Sequence, residues 1–342
     1  MRFIGSKRLL LSNIENIVKD NIDNWDKLES FCDIFGGTGC VGLHFKKYFK
    51  IISNDLLFFS YIIQKSTIEL NKNPLFLKLI DKDINDPLNY LNTEIPKLNS
   101  TNFIHDNFSP TKNSNRMYLT NENALKVDFF RTQINNWYLS NDINIEEYYY
   151  ILSSIVQAVP FVSNIAGTYG AYLKNWDKRS FKTIRLDKPI IFDNGKKNLV
   201  YNKDSNKLIN DISGDILYLD PPYNSRQYMP NYHLLETIAK YDSPLLKGIT
   251  GIRQSNDDTK SKYCQKSSAA DCLSELISKS KFKYIILSYS NEGIIPENTI
   301  DQILKSAAKG LFIKNIIPYR RYKRTKDNIE VNLNELMYII KK

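Results

Sequence analysis

Apolar positions in this chain follow two periods, and the places where they switch mark its elements. Leu10, Ile14, Ile17, Val18 and Ile22 recur at helical spacing after a basic start, which predicts an N-terminal helix. Short apolar runs at 31–35 and 51–53 are too brief for helices and read as buried strands, with a glycine-rich turn and a helix at 44–49 between them. Strand and helix alternate again from 199 onward. The runs 199–201, 215–219 and 284–289 are predicted strands, with a short helix after 204 and a longer one at 233–241. The last runs, 311–319 and 335–340, are joined by a connection that begins Arg320-Arg321-Tyr322-Lys323-Arg324, which predicts a β-hairpin with a basic loop at a sheet edge. Buried strands alternating with helices predict an α/β sheet.

Between about 66 and 191 the alternation is lost. Pro74, Pro87, Pro96 and Pro110 punctuate a polar, tyrosine-rich stretch that reads as loop-rich. It holds one good helix, 146–159, with Tyr149, Leu152, Ile155, Val156 and Val159 on one face. The predicted organisation is a first catalytic part at 1–65 that binds a cofactor, an insertion at 66–195, and a second catalytic part at 196–342. A length of 342 residues agrees, being more than one average domain.

Charge narrows the partner. A formal net charge of +10 implies a polyanion, either nucleic acid or an anionic membrane surface. No apolar run approaches the roughly 18 residues of a membrane span, and Leu9-Leu10-Leu11 is too short for a secretory segment, so a cytoplasmic protein is expected. The four cysteines, Cys32, Cys40, Cys264 and Cys272, form no C-x-x-C pair, and only three histidines occur, so no metal site is expected. None of the cysteines follows a proline, so the usual Pro-Cys nucleophile of cytosine-C5 methylation is missing.

The chemistry concentrates at Asp220-Pro221-Pro222-Tyr223, which ends the run 215–219. Two prolines cannot continue a sheet ladder, so the chain leaves the strand through a stiff loop carrying one carboxylate and one ring. The exocyclic amine of a nucleobase is a poor nucleophile because its lone pair is delocalised. Asp220 can accept one of its N–H groups and the Pro221 carbonyl the other, freeing that lone pair for an electrophile. Tyr223 can stack on the same base, worth roughly 1–3 kcal/mol. The bland alternative is a strand-end turn with a solvated carboxylate.

Asp33 precedes Phe35-Gly36-Gly37-Thr38-Gly39-Cys40-Val41-Gly42, in which Gly37, Gly39 and Gly42 fit the G-x-G-x-x-G spacing of dinucleotide enzymes. Asp55, after the next strand, would take ribose hydroxyls in a dinucleotide or an S-adenosylmethionine enzyme alike. Asp33 separates the two readings, because a carboxylate there repels a pyrophosphate but suits the ammonium of S-adenosylmethionine. Asp204 either caps the following helix or accepts a cofactor adenine amine, or does both. From Gly167 to Lys182 rings alternate with cations, and Tyr169, Lys174, Lys178 and Arg179 are candidate DNA contacts. Arg226 and Gln227 after the double proline, and Arg320 and Arg321 in the hairpin loop, are others. Ser290 and Asn291 are expected to line the same strand-end crevice.

The set Arg2-Phe3-Ile4-Gly5-Ser6-Lys7, Asp33 to Gly39, Asn54-Asp55, Asp204 and Asp220 to Tyr223, in that order, resembles the Dam-like (alpha-group) DNA adenine-N6 methyltransferases. Arg116 to Thr120, Tyr223 to Glu236 and Tyr319 to Lys326 look closer still to type II restriction-modification methylases of the FokI kind. The resemblance implies a Rossmann-like class I methyltransferase sheet with an inserted target-recognition region. It implies S-adenosylmethionine held by Phe3, Lys7, Asp33, Phe35, Gly37, Gly39, Asp55, Asp204 and Asp220, and a flipped adenine held by Asp220, Pro221, Pro222 and Tyr223. Double-stranded DNA would be the substrate, a restriction endonuclease a functional counterpart, and a monomer the working form. Ile34 and Phe3 depart from the family's usual proline and its tyrosine or tryptophan. Methylation of RNA, or a non-catalytic DNA-binding subunit, is the alternative.

Overall fold

The computed structural model describes residues 4–96, 102–254, 260–319 and 333–342. Contacts divide the chain into two compact units, each assembled from separate stretches. One unit comprises Gly5–Leu56, Asn194–Gln227 and Lys260–Lys342, the other Met1–Ile4, Leu57–Asp193 and Tyr228–Thr259. Two of the junctions fall at 56/57 and 193/194, against the expected 65/66 and 195/196. Tyr228–Thr259, expected in the second catalytic part, packs instead with the other unit.

The first unit is built on a seven-stranded sheet. Its strands are β1 (Ser30–Asp33), β2 (Lys50–Asn54), β3 (Leu199–Tyr201), β4 (Ser213–Leu219), β5 (Lys281–Ser290), β6 (Phe312–Tyr319) and β7 (Leu333–Lys341). They lie in the order β3-β2-β1-β4-β5-β7-β6, parallel except where β7 pairs antiparallel with both β5 and β6. This is the α/β Rossmann-like sheet of the expectation, with the C-terminal hairpin at its edge. Phe31, Cys32, Ile216, Leu217, Ile285 and Ile286 are wholly buried, as parallel strands covered on both faces must be. The Asp215 carboxylate accepts the Glu29 and Ser30 amides at 2.9 and 3.0 Å and so pins β1 against β4. The sense in which successive strands are added reverses at this parallel pair, and the crevice at the carboxyl ends of such strands is where open α/β sheets hold ligands.

The second unit is helical, which corrects the expectation of a loop-rich insertion. Besides Ile145–Ala158 it contains Phe58–Gln64, Pro87–Thr93, Phe103–Phe108, Tyr228–Lys240 and the 19-residue helix Asn121–Leu139. The longest was hidden by its buried polar residues. Asn123 donates to the Ser180 and Lys182 carbonyls and accepts from the Ile184 amide, while Asp128 accepts the Ile104 and His105 amides. Those side chains break apolar periodicity because Asn123 ties down a loop and Asp128 caps the first turn of Phe103–Phe108. The Glu236 carboxylate accepts the Phe58 and Phe59 amides at 3.2 and 3.0 Å, capping a helix 178 residues earlier. That cap explains why 228–259 belongs here. Among the described residues no helix is long and apolar enough to cross a membrane, and no cluster of metal-ligating side chains occurs.

Candidate active site

Every described residue expected at the cofactor or the target base lies in the sheet unit, Lys7 in its N-terminal turn and the others at the carboxyl ends of β1, β2, β3 and β4. After β1 the chain turns at Gly36, whose amide donates to the Asn54 carbonyl at 2.8 Å. Gly37 and Gly39 adopt φ of +54° and +80°, left-handed values that a side chain disfavours. The Gly37 amide donates to Asp55 Oδ2 at 2.8 Å, so Asp55 shapes the turn from the neighbouring strand. Asn54 donates to the Ile34 and Lys203 carbonyls and accepts from the Lys203 amide, tying three strand ends together. Asp204 accepts the Lys207 amide at 3.0 Å, so the capping half of its expected role is present in the fold.

Asp33 is buried to 1% exposure. The Gly42 amide donates to its Oδ2 at 3.3 Å, but Oδ1 has no hydrogen-bond partner among the described residues. Burial pushes this carboxyl up to about 8, and Asp220 adds to the rise, while the Gly42 and Phe35 amides oppose it. A buried acid with one idle oxygen is a site prepared for a cation.

The double-proline loop brings Asp220 into a second cluster. Lys7 Nζ lies 2.9 Å from Asp220 Oδ1 and 2.9 Å from Glu335 Oε1, and the Ser288 hydroxyl donates to the same Glu335 oxygen at 2.5 Å. The Lys7 and Glu335 side chains are each 5% exposed and that of Asp220 16%, so Asp220 is the member open to a ligand. Its Oδ2 takes no hydrogen bond from the described residues. Burial pushes Asp220 up to about 6, with the Lys7 ammonium holding it down and Glu335 pushing it further. Burial also opposes the charge on Lys7, but the two carboxylates outweigh it and hold the ammonium firmly protonated.

Rings flank the cluster. Tyr223 is half-buried, edge-on to Tyr289 with centroids 6.4 Å apart, and Lys7 Nζ is 5.9 Å from its centroid. Phe35 is half-buried against Tyr263 at 5.0 Å. Asn291 exchanges hydrogen bonds of 3.1 Å with Asn334, which joins the end of β5 to the start of β7.

Several expectations change here. Lys7, expected on the cofactor, gives its ammonium to Asp220 and Glu335. Gln227, expected at DNA, uses both ends of its amide on the Ser261 backbone at 2.9 Å and acts as a loop clamp. Arg226 is exposed. In the helical unit Tyr169 is core rather than surface: it is 1% exposed, with its hydroxyl 3.1 Å from Ser163 Oγ. Lys174 and Lys178 are exposed, while Arg179 is half-buried and bonds the Ile165 carbonyl. Phe3, Arg320 and Arg321 lie outside the described residues. Glu335 and Ser288 were missed, because only the pairing of β7 on β5, with Ser288 opposite Met337 and Ser290 opposite Glu335, brings them to this end of the sheet.

The model of the D12 class of N6 adenine-specific DNA methyltransferases matches residues 3–303. The chain is 45% identical to the type II methyltransferase M.FokI of Planomicrobium okeanokoites and 43% identical to the modification methylase StsI of Streptococcus sanguinis. Each alignment covers 100% of this chain but only 53% and 52% of those proteins. The chain thus spans about half the length of these relatives. The type II methyltransferase M.NlaIII of Neisseria lactamica is 38% identical, over 95% of this chain and 93% of its own.

Proposed function

The chain belongs to the D12 class of N6 adenine-specific DNA methyltransferases, and from that premise we propose that it methylates N6 of an adenine rotated out of duplex DNA. S-adenosylmethionine is the donor in this reading, and the protein acts in the cytoplasm as a monomer, as the modification enzyme of a restriction-modification system. One observation carries it: Asp33, whose Oδ1 has no hydrogen-bond partner among the described residues, and Asp220, the more exposed carboxylate of the Lys7 cluster, stand at the carboxyl ends of the adjacent parallel strands β1 and β4.

Asp33 suits the amino acid ammonium of the donor, which would satisfy Oδ1 and favour the ionised carboxyl. Phe35 and the backbone of Gly37 and Gly39 would line its methionine end, Asp55 the ribose, and Asp204 the adenine edge. The bound donor supplies a sulfonium-activated methyl group, so no covalent enzyme intermediate is needed. Asp220 Oδ2 and the Pro221 carbonyl accept the two N–H groups of the target amine, and Pro222 stiffens the loop that holds them. Asp220 also accepts the proton that the nitrogen sheds once it is methylated. Tyr223 stacks on the base. Lys174, Lys178, Arg179 and Arg226 are assigned to phosphates, together with Arg320 and Arg321 of the hairpin connection.

The test is digestion of duplex DNA to nucleosides after incubation with labelled S-adenosylmethionine. Label in N6-methyladenine is expected. Label in N4-methylcytosine, or only in RNA, overturns the reading.

Asp33 makes a separate prediction. Its carboxyl is raised to about 8 in the free protein, so at pH 7 it carries a proton that binding of a cation would expel. Calorimetry in buffers of different ionisation enthalpy is expected to find close to one proton released per donor bound. Asp33→Asn should release none and bind roughly 10- to 100-fold more weakly, as loss of a hydrogen bond to a charged group implies. The sign for stability is opposite. A raised acid stabilises below its ordinary range and loses that contribution as pH climbs toward 8, so unliganded Asp33→Asn should melt higher than the parent at pH 8. Proton release unchanged by the substitution would remove Asp33 from the site.

A further inference from the structure

The Lys7 ammonium is shared. It donates to Asp220 on the double-proline loop and to Glu335 on β7, at equal distances of 2.9 Å, and the second carboxylate is itself fixed by Ser288 on β5. Glu335 reaches Asp220 in two ways, by sharing the Lys7 ammonium and by its own nearby charge, which favours protonation of Asp220. Two carboxylates around one ammonium leave a net negative cluster, in which neither anion is fully compensated. A simple Lys7–Asp220 pair would be different: the full positive charge would rest on one carboxylate and quench its capacity to accept another hydrogen bond.

Resting on the methyltransferase reading, we propose that Glu335 is a positioning residue for methyl transfer. By drawing off half of the Lys7 ammonium and anchoring it, Glu335 keeps the Asp220 carboxylate both aimed at the crevice and under-compensated, hence a strong acceptor for the amine. The groups around Asp220 are Lys7 from the N-terminal turn, Glu335 from β7, Tyr218 from β4, Asp33 from β1 and Cys40 from the start of the next helix. Of these, Lys7 and Glu335 act on it most strongly in opposite senses, Lys7 lowering and Glu335 raising its protonation.

The experiment is the pH profile of kcat for the full chain on duplex DNA, comparing the parent with Glu335→Gln, Glu335→Asp and Ser288→Ala. Losing the Glu335 charge while keeping its shape is expected to move the acid limb to lower pH by half a unit or more. The plateau should fall about tenfold, with KM for DNA and donor within twofold. Glu335→Asp should return the limb toward the parent's position. Ser288→Ala, which frees the carboxylate but keeps its charge, should lower the plateau without moving the limb. An unmoved limb in Glu335→Gln, or a loss confined to KM, overturns the role. Carbon-13 NMR titration of the Asp220 carboxyl in parent and Glu335→Gln gives the same answer without turnover. If Glu335→Gln does not fold, the Ser288→Ala profile decides: a plateau equal to the parent's overturns the anchoring. A parent that methylates no adenine refutes the methyltransferase reading, whereas a parent that does, with an unshifted Asp220 titration in the variant, refutes only this inference.

Discussion

Asp220→Ala is expected to cut methyl transfer by about a thousandfold, the scale of losing both an electrostatic contact and a proton acceptor at one reacting nitrogen. Donor affinity should stay within a few-fold, because the Asp220 side chain is held by Lys7, and its only influence on Asp33 is to raise that carboxyl's protonation, which the substitution would relieve. The fold should survive as well. Removing Asp220 leaves Lys7 paired with Glu335 at 2.9 Å, a neutral buried pair with Ser288 still in place. Burst and steady-state measurements with labelled donor, beside equilibrium donor binding, separate the outcomes. A variant that binds donor normally but hardly turns over supports the assigned role, whereas a near-parental rate would sink it. In the parent, rate should rise with pH through about 6 as the carboxylate forms, since only the ionised acid accepts from the amine.

Lys7→Met is expected to act on stability as strongly as Asp220→Ala acts on rate. The lysine is the cation between two largely buried carboxylates, and removing one partner of a buried ion cluster costs about 3–5 kcal/mol because the remaining charge is uncompensated. The deficit depends on pH in a defined sense. Without Lys7 the Asp220 carboxyl, already raised to about 6 by burial and Glu335, can become neutral by taking up a proton, so the gap between variant and parent should narrow as pH falls from 8 to 5. Urea unfolding at several pH values measures it. A gap that is constant or widens toward acid would mean that Lys7 is held by packing of its stem and not by charge.

Much of this arrangement was readable from sequence, for a physical reason. The strands around β1 and β4 are short apolar runs ended by residues that cannot stay in a sheet, Gly36-Gly37 after one and Pro221-Pro222 after the other. Local signals therefore mark both the elements and the crevice at their ends. Asn121–Leu139 was not readable, because its buried Asn123 ties down the 180–184 loop, Asp128 caps the helix Phe103–Phe108 and Arg131 bonds Tyr148 of the next helix. Glu335 was hidden for a related reason. A lone glutamate in a hairpin strand reads as solvated, and only the register of β7 against β5 carries it to Lys7, more than 300 positions away. Tyr169 shows the converse error. A ring amid lysines suggests a stacking platform, yet its neighbours Tyr118 and His233 enclose it.

The chain passes between its two units at Ile4, Leu56, Asp193, Gln227 and Thr259, so neither unit is a continuous stretch. Exchange of the helical unit with that of a relative therefore cannot be made by moving one cassette. The segment Leu57–Asp193 transplanted alone would bring the Phe58 and Phe59 amides without the Glu236 that caps them, and Tyr118 and Tyr169 without the histidine buried between them. Recombination between such genes preserves a working protein only when Leu57–Asp193 and Tyr228–Thr259 travel together.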